Sequence, residues 1–194
     1  MLEQDLQNLK NDPKFIENLE MLTKEAKELQ SVQKAYQVLD ASLVLEREND
    51  TIDSLFSDVL QISFDDLAQK LANGEKFDIN SDEDLARLRA IYEHGIEKYS
   101  SDDYKGAKEI FLVLHYMLEG SGLEEALKVH IVAAAKEIDF DEFFENYTDA
   151  HAIATDESRY AHFIGHFCIN VEQFLRTNSE VLNSALAEID SLKG

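Results

Sequence analysis

The sequence is poor in everything that interrupts helices or staples a chain. One proline and seven glycines in 194 residues leave too few breakers for a fold of short strands and tight turns. One cysteine, Cys168, excludes an intrachain disulfide framework and a cysteine zinc site, and suits a reducing compartment. It lies in the apolar run AHFIGHFCINV and reads as a packed core thiol. No window approaches the roughly 18 apolar residues of a membrane span. The start, MLEQDLQNLKNDPKF, lacks the basic residues and apolar stretch of a secretory signal, so a cytoplasmic location is expected. Basic residues are also scarce, 18 against 40 acidic, for a net charge of -22. Such a chain repels phosphate backbones and anionic headgroups, so neither nucleic acid nor stable membrane insertion is expected. The charge suits a basic or apolar client, and serves solubility equally well.

What is present is helix. A hydrophobic content of 44% supports a real core. Asn11 and Asp12 before Pro13 form a cap with proline in the first turn. From there Phe15, Leu19, Leu22, Ala26, Leu29, Val32, Tyr36, Leu39 and Leu43 recur at steps of three and four, with one slip at Val32. This stripe must be buried against the chain's own body or against a second copy. The polar stretch EREND, 46 to 50, divides a helical arm, 1–50, for packing or dimerisation, from a body, 51–194. In the body the pattern predicts a short helix from Asp53 to about Leu60, then a capping box at Ser63 to Asp66 opening a helix that Gly74 ends. Ser81 caps LARLRAIYEHGIEKY, and the stretch from Ser121 to Glu124 opens LKVHIVAAAKEI. The fold class is all-α, a row of antiparallel helices.

A faint repeat runs through this row. Gly95 stands nine residues before Tyr104, and the same offset links Ile131 to Phe140 and Gly165 to Phe174. The spacing is close to the roughly 34-residue tetratricopeptide period. In the first unit Gly95 takes the small position where two helices cross, and Tyr104, Ala107 and Phe111 follow as aromatic, small and aromatic. The second unit keeps Phe140 and Tyr147 but carries Phe143 where a small residue belongs. The third has Gly165 and Phe174 without a clear turn between its helices.

The stretch NSDEDLARLRAIYEHGIEKYSSDDYKGAKEIFLVLHYM, 80 to 117, resembles the SycD/LcrH class of type III secretion chaperones, which escort hydrophobic translocator proteins. Tyr92, Gly95, Tyr99, Tyr104, Ala107 and Phe111 carry the likeness, and Gly74 upstream resembles the family's glycine-rich link. The resemblance implies about three tetratricopeptide-like repeats behind N-terminal helices. It also implies a concave groove for an extended client segment, a hydrophobic translocator as partner, and a homodimer formed through the N-terminal region. Tyr92 and Tyr99 would then line the groove, with Leu88 and Ile96 nearby. Helical geometry agrees that 88, 92, 95, 96 and 99 share one face. The chain departs from the family in placing Asp102 or Asp103 where the first repeat usually turns on glycine, in lacking the closing proline, and in its longer arm.

Other chemistries fit less well. His162 and His166, four apart, could begin a metal site on a helix, but no glutamate stands between them as a zincin requires. Core or groove-lining positions suit them better, and in repeat register both fall on the leading helix of the third unit. Asp78 to Asp82 begins like a calcium loop, yet the sixth position is Glu83 and the twelfth Arg89, so turn and bidentate ligand are missing. No phosphate cradle or nucleophile elbow appears, and no enzyme activity or cofactor is expected. Besides the chaperone reading, a general tetratricopeptide adaptor, an all-helical enzyme or metal protein, and a structural dimer remain as alternatives.

Overall fold

The computed structural model describes residues 10–46, 49–118 and 120–190. Among them are ten helices and no strand. They are α1 (Pro13–Leu29), α2 (Val32–Val44), α3 (Asn49–Asn73), α4 (Asp82–Ser100), α5 (Tyr104–Met117), α6 (Glu124–Ala135), α7 (Phe140–Tyr147), α8 (Ala150–Ala154), α9 (Val171–Thr177) and α10 (Ser179–Asp190). The all-α class therefore holds, with helices adjacent in sequence packed as neighbours, as helical repeats do. The chain forms two compact units, divided between Ala90 and Ile91 within α4.

In the first unit the arm is two helices rather than one. Asp12 caps α1 by accepting from the Lys14 N–H at 2.9 Å, with Pro13 in the first turn. The helix stops where Gln30 turns left-handed, φ 49°, and Ser31 caps α2. The slip in the apolar spacing at Val32 marks this turn, since Val32 opens α2. Glu83 of α4 seals the junction. Its carboxylate accepts from the Val32 N–H at 2.6 Å and from the Ser31 hydroxyl at 2.7 Å, placing negative charge on a helix start.

α3 runs unbroken for 25 residues, where the pattern predicts two helices. Ser63 does not cap: it is buried, and its hydroxyl donates to the Val59 carbonyl at 2.7 Å. Bonded back to its own preceding turn, the serine sits inside a helix without stopping it. Gly74, left-handed at φ 68°, follows the C-terminus of α3, and Ser81 caps α4 by accepting from the Asp84 N–H at 3.3 Å.

Leu19, Ala26 and Val32 share one core with Tyr36, Leu39, Leu55, Val59 and Ala90. The expected boundary at residue 50 is thus corrected: the arm packs with α3 and the start of α4, and the unit closes at Ala90. Arg47 and Glu48 of EREND lie outside the described residues.

In the second unit α4 turns into α5 through Asp102, left-handed at φ 62°, and Asp103, which accepts from the Gly106 N–H at 2.9 Å. Gly95 lies against α5: a Cβ there would come within 2.9 Å of both Ile110 Cγ2 and Phe111 Cε1. Ala107 and Phe111 are fully buried beneath. α6 is buried on nearly every side, as its apolar run LKVHIVAAA dictates, and packs against α5, α9 and α10. Asp139 caps α7, and α8 is a short turn after it.

Residues 155–170 are not helical. The leading helix expected for a third repeat around Gly165 is absent, and helix resumes only at α9. Helical apolar spacing in AHFIGHFCINV is misleading here, because Phe163 alone is buried while Gly165, His166 and Cys168 are exposed. The core thiol expected at Cys168 is likewise corrected to an exposed one.

Candidate peptide-binding site

The expected groove residues are mostly core. Leu88, Tyr92 and Tyr99 are fully buried, and Ile96 is half-buried. Leu88 belongs to the first unit, Tyr92, Ile96 and Tyr99 to the second. The two tyrosine rings do share a face of α4, but that face is covered, so neither ring lines an open groove. Tyr99 packs edge-on to Phe140 and Tyr104, with ring centroids 5.3 and 6.0 Å away, and against Phe143 at 5.6 Å. Its hydroxyl makes no hydrogen bond among the described residues, and burial pushes its pKa up.

Tyr92 is covered by a different part of the chain. Its ring lies 4.9 Å from that of Phe163, and its oxygen accepts the Ile164 N–H at 3.0 Å. The hydroxyl also stands 3.0 Å from His130 Nε2, while His130 Nδ1 lies 2.7 Å from the Ala126 carbonyl. A carbonyl can only accept, so the network assigns the imidazole proton to Nδ1 and leaves Nε2 to accept from Tyr92. Burial drives the two groups apart, lowering the His130 pKa to about 4 and raising that of the phenol. Both stay neutral at pH 7, so the pair tethers rather than exchanges a proton.

Residues 164–167 run in an extended course between bends at Phe163 and Cys168. The Cys168 N–H donates to the Tyr147 carbonyl at 3.0 Å, and the Asp149 N–H donates to the His166 carbonyl at 3.0 Å. These bonds make an isolated antiparallel bridge between Thr148 and Phe167. Phe167 approaches His130 and Phe143, ring centroids 6.1 and 6.5 Å away. Phe163 enters the core, a burial that stabilises by about 1.5–3 kcal/mol for a side chain of its class. The opposite side of the segment faces solvent. Backbone hydrogen bonds combined with side chains set among apolar rings are a mode by which an extended peptide is recognised.

His162 and His166 are exposed and lie off any helix, so they do not share a helical face. Bonds from the Ser158 backbone and hydroxyl, and then His166 Nε2 at 3.1 Å, hold the Asp156 carboxylate below its ordinary pKa. Among the described residues no three His, Cys, Asp or Glu side chains gather as metal ligands. No described helix is long and apolar enough to cross a membrane. Tyr104 and Tyr147 are half-buried, the former donating to Asp102 at 2.8 Å; Phe140 is half-buried against Tyr99. Gly165 is exposed.

Sequence reasoning missed His130, Phe163 and Phe167. A lone histidine inside the apolar run of α6 was one signal, since a buried imidazole demands partners for both nitrogens. Phe143 was another: a ring at a position suited to a small residue means that something other than a close helix crossing fills the space. Comparison with family models, curated proteins and solved structures gave no match.

Proposed function

We propose that the protein is a non-enzymatic chaperone that holds an apolar segment of a secreted, membrane-inserting translocator before export, in the manner of the type III secretion class its first repeat resembles. The observation that carries this reading is the course of residues 163–168 over Tyr92, His130 and Tyr147, a site whose geometry suits a peptide backbone with aromatic side chains. Capture would remove aggregation-prone surface from water at roughly 25 cal/mol per Å2. It would need no nucleotide. The charge of -22 would keep the loaded complex soluble.

In this reading the client site is not an open groove. Tyr92 acts through its hydroxyl beneath a covering segment, and Tyr99 is scaffold. Homodimerisation and a cytosolic site of action belong to the same proposal. A general peptide adaptor would use the same site, and is separated by whether the ligand must be apolar. Co-expression with a type III translocator tests the reading: a soluble complex of fixed stoichiometry is expected. A translocator that stays aggregated at every ratio contradicts it.

A further inference from the structure

Resting on that reading, we propose that residues 160–168 are a displaceable internal occupant of the client site, and that the ligand class is an extended peptide with two aromatic side chains four residues apart. The chain's own segment supplies the template. Phe163 packs over Tyr92, Phe167 reaches toward His130 and Phe143, the backbone between them bonds to Tyr92 and Asp149, and the Cys168 N–H just after bonds to Tyr147.

Three observations mark the segment as exchangeable rather than as ordinary core. Of residues 160–168 only Phe163 is buried; Ile164 and Phe167 are half-buried and His162, Gly165, His166 and Cys168 are exposed, so the surface uncovered when the segment lifts is confined to a few side chains. Its backbone is tied by one hydrogen bond each at Ile164, His166 and Cys168, with side-chain bonds from His166 to Asp156 and from Cys168 to the Asn146 carbonyl, instead of by a helix or a sheet. Gly165, at its centre, has no left-handed φ, and a Cβ there would meet nothing nearer than the Phe163 carbonyl oxygen at 3.9 Å. The seated conformation therefore does not require glycine, whose backbone freedom is available to the unseated segment.

A site mostly closed by its own chain binds an outside ligand more weakly in proportion to the open fraction. The test uses the full chain, the variant Phe163→Ala with Ile164→Pro, and a fluorescein-labelled peptide of residues 160–169 carrying Cys168→Ser. A control peptide has both phenylalanines replaced by alanine. The variant, checked for cooperative melting, is expected to bind the peptide roughly tenfold or more tighter than the wild type, and the control not at all. Equal affinity of variant and wild type overturns the proposal.

Amide hydrogen exchange on the wild type guards against a variant that fails to fold. The Ile164 and Cys168 amides are expected to exchange far faster than those of Leu112 and Val129 in the core helices. Exchange as slow as the core means that the segment opens only with global unfolding, which also overturns the proposal. Tight peptide binding by the variant alongside a translocator that stays aggregated would uphold the displaceable segment and remove the chaperone reading. A soluble translocator complex with no gain in the variant would do the reverse.

Discussion

The Tyr92 hydroxyl and His130 Nε2 stand 3.0 Å apart at the centre of the second unit, and the same hydroxyl holds the Ile164 amide at 3.0 Å. One oxygen thus joins α4, α6 and the extended segment.

Tyr92→Phe keeps the ring and removes that oxygen. It leaves a buried imidazole nitrogen and a backbone N–H without partners, at a cost of about 1–3 kcal/mol. Urea unfolding should show the loss, and the Ile164 amide should exchange faster than in wild type.

His130 gives the fold a pH dependence. Its folded pKa, lowered by burial to about 4, lies below the unfolded value of about 6.5. Its contribution is fully present above about pH 6.5 and is lost as pH falls through about 4, with a slope of at most about 1.4 kcal/mol per pH unit between. Unfolding free energies measured from pH 7 to 4 should follow this course. His130→Gln should flatten it in this window.

Gly95→Ala should destabilise by about 1–3 kcal/mol, because its Cβ would lie 2.9 Å from Ile110 and Phe111 in a packed core. Gly165→Ala should change thermal stability by less than about 0.5 kcal/mol. Thermal melts of the two variants distinguish a glycine that packing requires from one that it does not.

Glu83→Ala strips the junction between α1 and α2 of its acceptor for Val32 and Ser31. By analogy with the loss of a helix cap, about 1–2 kcal/mol is expected. Protection of the α2 amides against exchange should fall first.

The local grammar of the fold was readable. Asp12 and Pro13, Gly74 and Ser81 act as the sequence signals, because caps depend on a few adjacent residues. Even the slip at Val32 was present, though it marked a turn rather than a flaw in one helix. Ser63 misled because burial and a bond to Val59 let a cap-forming residue continue a helix. The site was harder to read. That Tyr92 and Tyr99 share a face follows from 3.6 residues per turn, but what covers the face depends on residues some 70 positions later. The segment 163–168 has helical apolar spacing, and only its tertiary partners make residues 164–167 extended.

The most direct test is photo-crosslinking from benzoylphenylalanine placed at Tyr147, beside the segment, in cells that also make a type III translocator. The account predicts a crosslink to an apolar, aromatic-containing segment of the translocator, lost when Tyr92 and Phe143 are both replaced by alanine in a variant that still melts cooperatively. A translocator that co-purifies while position 147 crosslinks only within its own chain would contradict it.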